Sequence, residues 1–140
     1  MGGTYSDNTS YYLLKAKSGS KGYVESPTIS DMSTITSVVV HAGFYGGSDY
    51  GTFKVYGGST QYGTSQSPGS KSDNEFTISP ATNPLSGSGK IKIINAGSND
   101  NDNGTRLFSA TVNYTTGGYT YSNYATSCCT ALGSINGSFF

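Results

Sequence analysis

ITSVVVHAGF, residues 35–44, is the run that decides the fold. Val38, Val40, Ala42 and Phe44 have one parity in it, and Ser37, Val39, His41 and Gly43 the other. Side chains alternate across a β-strand, so the first set reads as core and the second as an outer face. The same alternation recurs outward in both directions. Strands are expected at Tyr11–Lys17 (YYLLKAK), Gly22–Ser26 (GYVES), Thr52–Tyr56 (TFKVY), Glu75–Ser79 (EFTIS), Lys90–Ala96 (KIKIINA) and Thr105–Tyr114 (TRLFSATVNY), with a short element at Thr28-Ile29.

Ser, Gly, Asn and Pro clusters separate these runs, and Asp31–Thr34, Gln66–Asn74 and Thr82–Gly89 read as loops. No segment carries apolar residues at helical spacing over three turns. The pattern predicts an all-β, antiparallel β-sandwich of about eight strands, with Phe53, Val55, Phe76, Ile78, Ile91, Ile93, Phe108, Ala110 and Val112 facing inward. Arg106 shares parity with Phe108, which places it beyond the edge of the core.

Composition narrows the function classes. Gly, Ser, Thr and Asn make up half of the 140 residues, while Leu, Ile, Val and Phe contribute only 24. A content so low in core formers marks disorder only when net charge is high; here 8 basic residues balance 8 acidic ones and 12 Tyr add apolar area. Without a basic excess there is no source for the phosphate neutralisation that drives nucleic-acid binding. No apolar run is long enough for a membrane span. The opening Met1-Gly2-Gly3-Thr4 lacks the parts of a signal peptide, as at the start of a mature domain or a boundary within a longer chain. A charged fraction of 11% with abundant Tyr, Thr, Ser and Asn fits secreted or cell-surface β domains.

The order of landmarks then carries a resemblance. GYVESPTI (22–29), ITSVVVHAGFYG (35–46), TFKVYGG (52–58) and KIKIINAGS (90–98) together resemble the jelly-roll modules of Bacteroidetes-type secreted and cell-surface proteins. In those modules a Gly-Tyr-Ile-Glu-Ser-Pro strand precedes an Ile-Thr-x-Val strand. The tail YTYSNYATSCCTALGSINGSFF (119–140) is similar to the connector that often follows them.

The resemblance implies a galactose-binding-like or carbohydrate-binding-module-like sandwich of jelly-roll type, appended to a larger protein. Residues 1–114 would form the module, and 115–140 a connector or the start of a following domain. Many such modules hold a structural calcium through acidic residues near the first and last strands. The last strand here, SATVNY (109–114), offers Asn113 and no carboxylate.

Candidate sites follow from side-chain chemistry. Tyr45-Gly46-Gly47-Ser48 and Tyr56-Gly57-Gly58-Ser59 repeat one turn motif, and Tyr50 and Tyr62 follow close behind. A tyrosine presents a flat apolar face with a hydroxyl at its rim, which suits stacking on a sugar ring, and Gly-rich turns let a ligand approach the backbone. The expected ligand-binding set is therefore Tyr45, Asp49, Tyr50, Tyr56, Gln61, Tyr62 and His41. Strand-end packing is the competing account of the tyrosines.

His41, the single imidazole, sits mid-strand rather than on a nucleophile turn, so no catalytic residues and no enzyme activity are expected. Asn99-Asp100-Asn101-Asp102-Asn103-Gly104 has the spacing that opens a calcium loop, making Asp100 and Asp102 the metal candidates. Thr111 stands where such a loop needs Glu, and a turn explains the cluster as well. Lys90 and Lys92 with Lys54 form a small basic stripe, or a solvated sheet face. Cys128 and Cys129 are adjacent, which suits mutual pairing only through a strained ring. They read as small semi-apolar residues in a tail, with metal binding or intermolecular crosslinking as alternatives.

The expected function is a non-catalytic extracellular accessory module binding a polysaccharide or glycan, next to neighbouring domains of a larger chain. It has no cofactor beyond that calcium, no nucleic-acid partner and no membrane span. The alternative is a structural spacer or protein-interaction domain; a hydrolase is the third class.

Overall fold

A computed structural model describes residues 2–4, 10–80, 87–116 and 119–127, with side chains placed over 10–80 and 87–115. Its strands in chain order are β1 (Gly2–Thr4), β2 (Ser10–Lys15), β3 (Tyr23–Glu25), β4 (Ile35–Tyr45), β5 (Phe53–Gly57), β6 (Thr60–Gln66), β7 (Asn74–Ile78), β8 (Ile91–Asn95), β9 (Gly104–Thr116) and β10 (Tyr119–Ser127). Single 3₁₀ turns at Met32–Thr34 and Ser48–Tyr50 are the helical elements among the described residues, and none is long and apolar enough to cross a membrane.

The strands form two antiparallel sheets. One is six-stranded, ordered β1-β2-β9-β4-β7 with β10 also paired to β9; the other runs β3-β8-β5-β6. From β2 to β9 every connection passes from one sheet to the other except the β5–β6 hairpin. β2 pairs with β9 at 104–107 and β10 at 109–116, so two strands share one edge of β9 end to end.

The core lies between the sheets. Leu14, Val38, Val40, Ala42, Ile78, Leu107, Ala110 and Val112 from the larger sheet meet Val24, Phe53, Val55, Tyr62, Ile91 and Ile93 from the smaller. Phe76 is half-buried and packs edge-on against Phe53, with ring centroids 5.2 Å apart. The expected inward set is thus in place with two exceptions. Phe44, at the strand end, is only half-buried, and Phe108 faces out. Ala42 pairs with Leu107 but His41 with Ser109, leaving Phe108 opposite no residue of β4. This bulge reverses the parity of β9, as one unpaired residue must. Phe108 and Arg106 therefore lie on the outer face of the six-stranded sheet, with Tyr11 and Leu13.

Three other elements depart from the sequence reading. β6 was hidden in a polar run, TQYGTSQ, whose only large apolar residue is Tyr62. Between Val55↔Tyr62 and Phe53↔Gln66 the strand carries two residues more than β5, and Gly63 at φ +61° makes the bulge sterically free. Thr28-Ile29 is a single bridge from Ile29 to Gly89 rather than a strand. The boundary expected at Tyr114 falls inside β9, and the sheet continues through β10 to Ser127. Cys128 and Cys129 and the rest of the tail, 130–140, lie outside the described residues.

Candidate functional site

β5 and β8 are neighbours in the middle of the four-stranded sheet. With Phe53, Val55, Ile91 and Ile93 turned into the core, period two turns Lys54, Tyr56, Lys92 and Ile94 outward. Register fixes their neighbours: Tyr56 lies directly opposite Lys92 on one side and Gln61 on the other, and Lys54 opposite Ile94. An open groove of about 550 Å³ lies on this face, lined by Lys21, Lys54, Tyr56, Ser59, Lys92 and Ile94 among others. Ligand sites typically occupy roughly 300–1,000 Å³.

Two of the three lysines are held in position. Lys92 Nζ sits 4.3 Å from the centroid of the Tyr23 ring on β3, a cation–π contact. Lys21 Nζ donates to the carbonyl oxygens of Ala16, at 2.8 Å, and Gly97, at 2.7 Å. Among the described residues no carboxylate lines the groove; Glu25, paired with Lys92 across β3 and β8, stands at its border.

Asn95 anchors the groove from beneath, at the end of β8. It is 2% exposed. Its Nδ2 donates to Tyr50 O at 2.7 Å and Thr105 Oγ1 at 3.0 Å, and its Oδ1 accepts from Gly97 N at 3.0 Å. Thr105 Oγ1 in turn donates to Gly51 O at 2.9 Å. One amide thus ties β8, β9 and the 46–52 turn together. Asn at the inward parity of KIKIINA, in line with Ile91 and Ile93, is the sequence signal for this residue.

The expected ligand-binding set divides among four places. Tyr56 and Gln61 meet on the four-stranded face, as described. Tyr45 and His41 lie on the outer face of the other sheet. There the Arg106 guanidinium is 4.9 Å from both the Tyr45 and Tyr11 rings, and Phe108 packs edge-on against Tyr11. Asp49 and Tyr50 belong to the 3₁₀ turn, where the Asp49 carbonyl accepts from Ser98 N and the Tyr50 carbonyl from Asn95. Tyr62 is in the core.

The two Tyr-Gly-Gly-Ser turns thus do not form one platform. They sit at opposite ends of β5, and their tyrosines point out of opposite sheets.

Tyr62 corrects the sequence reading most directly. It is fully buried, its hydroxyl has no hydrogen-bond partner, and desolvation pushes its pKa up. The ring tip lies against Gly57, whose position leaves no room for a Cβ. Burying an unsatisfied hydroxyl costs about 1–3 kcal/mol, so Tyr62→Phe is expected to stabilise the fold by about 1 kcal/mol in urea unfolding. Because the folded state holds the phenolic proton more tightly, stability falls as pH rises from about 10, the unfolded value, through the folded one. Tyr62→Phe should reduce that alkaline loss, and a destabilised variant would contradict the geometry.

His41 is engaged on both nitrogens. Nδ1 lies 2.8 Å from Asp73 Oδ1 and Nε2 3.4 Å from Glu75 Oε2. A general base needs one nitrogen directed at its nucleophile; here each one faces a carboxylate.

Asp100 Oδ1 accepts from Asp102 N at 2.8 Å and Asn103 N at 2.9 Å, and these bonds hold its carboxyl below the usual range. It therefore supports the turn above its unfolded pKa and loses that role as pH falls through the folded one. Asp102 lies 3.9 Å from Lys15 Nζ. Among the described residues no three His, Cys, Asp or Glu side chains converge as metal ligands. The chain matches no protein-family model, no curated protein and no solved structure.

Proposed function

We propose that this protein is a non-catalytic glycan-binding module, secreted or carried on a cell surface, and that the groove over β5 and β8 is its binding site. The observation that carries this reading is Tyr56, a half-exposed aromatic ring flanked by Lys92 and Gln61 on the outer face of the four-stranded sheet. Aromatic stacking on a sugar with polar groups at the ring's rim needs such a platform. The alternation of strands between the sheets, β2-β9-β4-β7 over β3-β8-β5-β6, supports a jelly-roll assignment.

Polysaccharide affinity electrophoresis and a glycan array test the proposal. The chain should be retained by at least one glycan, and Tyr56→Ala should weaken retention about tenfold, the equivalent of about 1.4 kcal/mol. Tyr45→Ala, on the opposite sheet, should leave it unchanged. Retention that survives Tyr56→Ala would reject the site. No retention on any glycan would favour a spacer or protein-interaction domain.

A further inference from the structure

We infer that the groove over β5 and β8 selects an anionic glycan, one bearing carboxylate or sulfate groups on its sugars; this rests on the glycan-binding reading above. The chain is neutral overall, but basic residues outnumber acidic ones on this face, where Glu25 lies opposite Lys92 in register. Lys21, Lys54 and Lys92 line the groove, and exposed Lys90 lies just before β8, so four of the eight basic residues gather on this side. Asp73 and Glu75 lie instead beside His41, on the outer face of the other sheet.

A neutral sugar gives no reason for three lysines to line one groove. Their like charges repel one another and gain nothing from such a ligand. An anion offsets that repulsion. Geometry fits the pairing: Lys92 stands one strand from Tyr56, about 5 Å away, and Lys54 two residues along β5, about 7 Å. A ring stacked on Tyr56 would carry its own anionic group, or its neighbour's, within reach of one lysine or the other.

Two of the ammonium groups are preorganised. Lys92 is held over Tyr23, and Lys21 donates to two carbonyls yet keeps a third N–H. Ligands therefore meet fixed cations rather than freely rotating ones, which lowers the ordering cost of binding. Ile94, between the lysines, supplies an apolar patch for the C–H faces of the sugar.

The test is affinity electrophoresis of the full chain through gels of polygalacturonate, dextran sulfate, neutral galactan and neutral xyloglucan, with oligothymidylate as a non-sugar polyanion. Polygalacturonate or dextran sulfate should retain the chain and the neutral gels should not; which acidic gel retains it tells a carboxylate ligand from a sulfated one. Raising salt from about 0.05 M to about 0.5 M should weaken retention at least about fivefold, because screening shortens the reach of the lysines. The double variant Lys54→Gln, Lys92→Gln should lose retention while still unfolding in one cooperative melt, since neither side chain belongs to the core.

Equal, salt-insensitive retention by the neutral gels would overturn the inference while leaving glycan binding in place. Retention by oligothymidylate as strong as by the acidic glycans, and insensitive to Tyr56→Ala, would overturn it in favour of a general polyanion patch. Retention on no gel would overturn the inference, and retention on no glycan of the array would overturn the glycan-binding reading as well.

Discussion

Replacing Asn95 with alanine is expected to cost about 3 kcal/mol of folding stability, seen as a urea midpoint lower by about 2 M at an unchanged slope. The magnitude follows from what the amide leaves behind. The Tyr50 carbonyl, the Gly97 N–H and one bond of Thr105 Oγ1 lose their partner together, the last in a buried site and the first two in part-buried ones. Each buried group stranded in this way costs about 1–3 kcal/mol, and a domain of this size has only about 5–15 kcal/mol in all.

Thr105→Val should cost less, because it strands the Gly51 carbonyl and one Asn95 N–H but leaves the amide bound to Tyr50 and Gly97. The double variant should fall short of the sum by about 1 kcal/mol, the signature of residues in one network. Additive losses would mean that the two side chains act independently.

Gly104→Ala is expected to be comparably severe, about 3 kcal/mol or more. Gly104 pairs with Lys15 on β2 and Tyr45 on β4, at the start of the central strand β9. A Cβ there would run into the carbonyl oxygen of Leu14, a backbone atom held in its own sheet. Relief requires β2 to move away from β9, opening the edge on which β1 also depends. Gly69 makes the contrast. A Cβ there meets nothing within 4 Å, so Gly69→Ala should be neutral or stabilising by up to about 1 kcal/mol. Equal effects at the two positions in a thermal melt would contradict the β2–β9 register.

Much of the fold was legible because apolar period two is strong where a strand buries one face. ITSVVVHAGF places Val38, Val40 and Ala42, and TFKVY and KIKIINA place Phe53, Val55, Ile91 and Ile93, on the expected parity; these runs are one strand inside the larger sheet and the two middle strands of the smaller. Strands held by backbone pairing with little apolar content were not legible. β6 buries only Tyr62, and β10 reads YTYSNYATS, a polar run that resembles a linker until β9 is seen beside it. The reversal at Phe108 was hidden for another reason: a bulge is a property of two strands together, and parity counted along one of them cannot register it.

The candidate site was half legible. Tyr56 and Gln61 stand out as residues, and so does the stripe Lys54, Lys90, Lys92, yet the repeat of Tyr-Gly-Gly-Ser pointed to a joint platform. Crossing from one sheet to the other after Tyr45 separates the two turns, and only topology shows that. Lys21 gave no local signal, because what recruits it is a pair of carbonyls, those of Ala16 and Gly97, that the fold brings together.

Whether ligand is bound on the outer face of the four-stranded sheet can be read residue by residue, from amide chemical shifts during titration with an oligosaccharide of a retained glycan. Saturable shifts are expected to concentrate at Lys54, Tyr56, Lys92 and Ile94, with Tyr11, His41 and Tyr45 unmoved. Shifts centred on Tyr11, Arg106 and Tyr45, or spread without pattern over both sheets, would rule out binding on that face.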